Sequence, residues 1–82
     1  MHALSSNSLL FNGGIMKVSY NKLWKLLVDL NMSKADLRKA TGLASGTMTK
    51  LSRNEDVSVD ALKKICKVCQ CNIGDIMDVL PE

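Results

Sequence analysis

The stretch that most constrains this chain is MSKADLRKATGLASGTMTKL, residues 32 to 51. It reads as two short helices on either side of a break at Gly42. Ser33 can cap the first helix, and Asp36 three residues on completes an aspartate version of the capping box. That helix carries Leu37 and Ala40 and ends where Gly42 supplies a left-handed residue. Leu43 begins the turn, and a second helix over residues 45 to 53 points Met48 and Leu51 inward. Helices this short are marginal in isolation, so packing against the rest of the chain must hold them.

The rest of the chain can supply that packing. Its 82 residues make one small domain, near the size at which a single core suffices. Only Phe11, Tyr20 and Trp24 are aromatic, so the core is expected to be aliphatic. Ahead of the pair, Tyr20, Leu23, Trp24, Leu27 and Leu30 recur at helical spacing, with Ser19 as cap and Asn31 as stop. Trp24 is assigned to the core on this basis. After the pair, RNEDVS is a polar connection. Ser58 caps a fourth helix with Val59, Leu62, Ile65, Cys66 and Cys69 inward. Asn72 and Asp75 cap a short fifth helix carrying Ile73, Ile76 and Met77, and Pro81 ends it. No strand-like alternation is present. The expected fold is all-α: a compact five-helix domain over residues 16 to 82, preceded by a flexible arm over residues 1 to 15.

Several function classes find no support. No apolar run approaches the roughly 20 residues that span a bilayer. The opening MHALSSNSLLFNGGI lacks Lys or Arg before its short apolar patch and matches an export signal poorly. A cytoplasmic protein with reduced thiols is expected. CKVCQC offers three thiols where zinc takes four ligands, and the lone histidine, His2, lies in the arm. Cys66 and Cys69 fall at core spacing, where cysteine behaves as a small hydrophobe. With no histidine in the folded part and no nucleophile–base set, the chain reads as a non-enzyme without cofactor, metal or small-molecule substrate.

Charge points elsewhere. Residues 16 to 53 hold eight basic side chains against Asp29 and Asp36, an excess of six positive charges. Residues 54 to 82 hold three lysines against six carboxylates. Such asymmetry suits one face turned to a polyanion. Two short helices joined by a tight glycine turn have a matching geometry. The second can enter a DNA major groove about 12 Å wide while the first lies across the phosphate backbone.

From about Tyr20 to Met77 the sequence resembles the lambda-repressor-like, Cro-type (XRE) helix-turn-helix domain of small bacterial and phage regulators. The resemblance rests on MSKADLRKATGLASGTMTKL, with Gly42 and the apolar positions 37, 43, 48 and 51, and on VSVDALKKICKVCQCNIGDIM for the last two helices. It implies that Lys34 touches a phosphate where the family commonly carries glutamine. It further implies that Ser45, Gly46, Thr49 and Lys50 face the groove, and that Thr47 and Arg53 flank them and reach the backbone. Lys22, Lys25 and Lys39 are read as solubilising lysines.

Three departures stand out. Ala44 occupies a usual capping position, with Gly46 close behind, so the third helix is expected to be intrinsically weak. Arg38 stands where a small residue is usual between the two helices, so the packing there is expected to open. Glu55 and Asp56 would repel a phosphate, and their loop is not counted as a contact. The function implied is a sequence-specific double-stranded DNA-binding regulator, a repressor acting by occlusion as a homodimer on an inverted repeat. The competing class is a protein-interaction module on the same fold, such as an antitoxin or antirepressor, served by the acidic C-terminal third and the apolar arm.

Overall fold

Tyr20, Leu23, Leu37, Leu51, Ile65 and Ile76 lose essentially all their solvent exposure, and the chain is organised around them. The computed structural model describes residues 16–81. Strand β1 (Met16–Ser19) leads into α1 (Asn21–Asp29), α2 (Lys34–Thr41), α3 (Ser45–Ser52) and α4 (Val59–Cys69). A single 3-10 turn (Ile73–Asp75) and strand β2 (Asp78–Pro81) follow. The core comes from Tyr20 and α1, from Leu37 of α2, Leu43 in the turn and Leu51 of α3, from α4 and from Ile76. The expected arm, residues 1 to 15, lies outside the described residues.

The all-α, five-helix expectation needs correction. Four α-helices are present among the described residues, and the expected fifth is a 3-10 turn, with Ile76 buried just beyond it and Ile73 exposed. The chain then extends as β2, antiparallel to β1 in the register Met16↔Pro81 to Ser19↔Asp78. Each strand has only four residues. Exposure along β1 does not alternate: Met16 and Lys17 are open, Val18 half-buried and Ser19 buried. No period-2 signal exists to read. Pro81 closes β2 opposite Met16 rather than ending a helix, and it sits at a strand end where its missing N–H is tolerated.

Other local expectations divide. The Ser33–Asp36 capping box forms, with Asp36 N–H donating to Ser33 Oγ at 3.0 Å and Ser33 N–H donating to Asp36 Oδ2 at 2.9 Å. Those bonds favour the ionised carboxylate and hold Asp36 below its usual 3.8. The stability they give is present above that value and fades as pH falls through the lowered one. Ser58 caps α4 by accepting from Ala61 N–H at 3.1 Å. Ser19 does not cap α1: it sits in β1, Tyr20 takes the cap position, and Ser19 Oγ accepts from Asn21 N–H at 3.4 Å.

Along α4, Val59 is 63% exposed and Ala61 is buried in its place, because the first turn is rotated so that its third residue, not its first, faces the core. Leu30 lies past the end of α1 and is also exposed. Cys69 is buried, whereas Cys66 and Cys71 are half-buried. Burial and the neighbouring thiols push Cys71 up to about 11 and raise Cys69 as well, so both stay protonated at neutral pH.

The α2–α3 turn decides how α3 leaves the body. Gly42 adopts φ +73°, and its N–H donates to the Arg38 carbonyl at 2.9 Å. The Thr41 hydroxyl donates to the Leu37 carbonyl at 2.7 Å and accepts from Leu43 N–H at 3.3 Å, bridging the turn. A Cβ on residue 42 would meet nothing within 4 Å, so the demand there is conformational alone. Gly42→Ala is therefore expected to cost about 1–2 kcal/mol and Gly42→Asn less, since asparagine visits the left-handed region more readily. In urea unfolding the alanine variant should show the lower midpoint at an unchanged slope.

Candidate nucleic-acid interface

Helix α3 has two unlike sides. Leu51 is fully buried, and Met48 and Thr47 are half-buried. On the opposite side Ser45, Gly46, Thr49 and Lys50 are all exposed. The 3.6-residue period explains this: Met48 and Leu51 lie three apart on the core stripe, and Thr49 stands four from Ser45 on the outer one. The outer side chains are short except for Lys50. Thr49 Oγ1 donates its proton to the Ser45 carbonyl at 3.1 Å. To a ligand outside, Thr49 thus presents lone pairs and a methyl group, not a donor.

The N-terminal end of α3 is open. Ala44 occupies the cap position with extended backbone and makes no side-chain cap. The Thr47 and Met48 amides donate to the Ala44 carbonyl, while those of Ser45 and Gly46 find no acceptor among the described residues. The C-terminal end, by contrast, is held firmly. Glu55 N–H donates to the Lys50 carbonyl at 2.9 Å, and Asn54 turns the chain at φ +56°. Asn54 Oδ1 accepts from Tyr20 N–H at 2.9 Å, and the Tyr20 hydroxyl donates to the Glu55 carbonyl at 2.8 Å. These two bonds tie the exit of α3 to the start of α1.

Beside α3 an open groove of about 350 Å³ runs along α2, lined by Lys34, Arg38, Thr49 and Arg53 among others, and by no carboxylate. Lys34 Nζ donates to Ser52 Oγ at 3.2 Å and lies 4.2 Å from the centroid of the Trp24 ring. That ring is only half-buried: it packs against the core and offers a face to the ammonium group. Arg53 approaches Glu55 at 3.9 Å, a long pair with both side chains largely exposed. Lys34, Thr49 and Arg53 thus share the groove, while Ser45, Gly46 and Lys50 lie on the outer face of α3.

Arg38, Ser52 and Trp24 were missed as members of this site. The spacing of Lys34 and Arg38, four residues apart on one helix, was the available signal for the first. Trp24 and Ser52 enter only through tertiary packing.

A short, exposed helix on a supporting one, across a left-handed glycine turn and beside a cationic groove, defines a helix-turn-helix DNA-binding unit. The chain belongs to the Cro/C1-type HTH DNA-binding domain family, whose model matches residues 22–82. It is also similar to the crystal structure, in its form II, of the transcriptional regulator VanUg. The two share 52% sequence identity at a TM-score of 0.80, over 82% of this chain and 89% of that one. Comparison with curated proteins finds no match.

The weak end of α3 gives a stability test. Gly46 lies in the helix with nothing within 4 Å of an added Cβ. Gly46→Ala is expected to stabilise the free protein by about 0.5–1 kcal/mol, and Ala44→Ser to add about 1 kcal/mol through a new cap. Both gains would be read as higher urea midpoints.

Proposed function

We propose that this chain is a DNA-binding transcriptional regulator that lays α3 in the major groove of an operator and represses by occluding polymerase. The observation that carries this reading is the outer face of α3, small and cationic, bordered by a groove that holds Lys34, Arg38 and Arg53 without a carboxylate. Membership of a DNA-binding family and likeness to a transcriptional regulator support it. No helix among the described residues is long and apolar enough to cross a membrane; the proposed place of action is cytoplasmic DNA.

In this reading Lys50 donates to guanine N7 or O6. Thr49, its proton already given to Ser45, accepts from the amino group of adenine or cytosine, and its methyl can meet that of thymine. Ser45 and Gly46 let the helix approach closely and offer free amides to a phosphate. Thr47, Lys34 and Arg53 serve the backbone. Direct readout by so few long side chains is thin, so binding leans on phosphates, and two copies acting as a homodimer would read an inverted repeat with half-sites about one helical turn apart.

Selection from a random duplex pool followed by shift assays tests the reading. A palindromic site should emerge and be retained at low salt, with affinity falling steeply, on the order of a thousandfold between roughly 50 and 200 mM. Lys50→Glu should abolish the shift. Thr49→Val should relax the preference for adenine or cytosine at one position of each half-site. Glu55→Gln, which releases Arg53 from its long ion pair, should tighten binding. Absence of any shift at low salt, with co-purification of a protein partner, would instead favour an antitoxin or antirepressor module.

A further inference from the structure

We infer that the DNA-contacting surface extends past the helix-turn-helix onto the small sheet, where Lys17 and Arg53 form a second seat for a backbone phosphate. The inference rests on the proposed function and assigns to it residues outside the recognition pair.

An open groove of about 470 Å³ lies between β1, the start of α1 and the exit of α3. Its polar lining consists of Lys17, Ser19, Asn21, Arg53 and Asn54, with no carboxylate among them. Lys17 and Ser19 stand two apart on one face of β1, and Leu80, the cross-strand partner of Lys17, lines the same groove. The sheet that was absent from the sequence-based expectation is therefore what aims Lys17 towards Arg53. Lys17 is exposed and enters no ion pair among the described residues.

The remaining groups suit the same ligand. Ser19 is 9% exposed, and among the described residues its oxygen accepts just the long 3.4 Å bond from Asn21 N–H and its hydroxyl donates to no acceptor. Asn54 Oδ1 is occupied by Tyr20 N–H, which leaves the Asn54 amide nitrogen available as a donor. The groove also sits at the N-terminal end of α1, where the helix dipole favours negative charge. Donors and cations without an acceptor carboxylate select an anion. Two carboxylates lie near the groove without lining it: Asp78, the cross-strand partner of Ser19, is paired with Lys22 at 3.0 Å, and Glu55 reaches Arg53 only at 3.9 Å, in an exposed pair.

Continuity says which anion. Arg53 lines both this groove and the one holding Lys34 and Arg38, so the four cations follow one another along the flank of α3. A discrete small ligand would need only one of these grooves. A phosphodiester strand passing α3 would meet them in turn. Lys17 is thus a backbone contact, adding affinity without sequence preference.

The test uses the full chain and the duplex obtained by selection, with the slope of log affinity against log salt as readout. Lys17→Gln should lower that slope by about one per half-site while leaving the ratio of operator to non-specific affinity unchanged. Lys17→Arg should restore the slope. Lys25→Gln, on a part of α1 outside both grooves, should match the wild type. Phosphate-ethylation interference should show one sensitive phosphate per half-site that disappears in Lys17→Gln. A slope for Lys17→Gln equal to that of wild type, while Lys34→Gln lowers it, would overturn the inference and leave the proposed function standing. A changed specificity ratio would also overturn it, as would a wild-type chain that binds no DNA. Only that last result would remove the proposed function too.

Discussion

Tyr20 holds together the two parts that make this molecule usable. Its ring is buried in the core, its amide binds the side chain of Asn54, and its hydroxyl binds the carbonyl of Glu55. The helix that faces outward has just one fully buried side chain of its own, Leu51, and an uncapped N-terminus. Left to its propensity it would fray. Fixing its last turn to the first turn of α1 over more than thirty residues of sequence converts a marginal helix into one with a defined direction. Losing the hydroxyl bond alone would remove about 1 kcal/mol.

This division of labour explains the uneven distribution of stability along α3. The C-terminal half is bonded to the body, and the N-terminal half carries Gly46 and free amides. A phosphate arriving at those amides would supply the missing acceptor, so DNA itself would complete the helix cap. Lys34 shows the opposite strategy. Its ammonium group is held between the Trp24 ring and the Ser52 hydroxyl, which would reduce the entropy lost in the proposed contact with a phosphate.

What could be read from the sequence was short-range. The Ser33–Asp36 box, the left-handed Gly42 and the Ser58 cap depend on residues within three or four positions, and all three formed as read. The strands could not be read because each is four residues long and finds its partner about sixty residues away. The same limit hid the role of Trp24, which looked like simple core but gives one face to Lys34. Val59 misled for another reason. Helical spacing says which residues share a stripe, not how the first turn is rotated against the core, and there Ala61 replaced it. For the candidate site, exposure of the outer face of α3 followed from its pattern. The cationic grooves on either side of Arg53 required the tertiary arrangement.

The most direct measurement is a titration of isotopically labelled protein with the selected duplex, followed amide by amide by NMR. The amides of Ser45 to Arg53 should move most, with Lys34 and Lys17 following, while α4 stays nearly unchanged. Movement confined to α4, or none at all along α3, would contradict a helix that enters the groove.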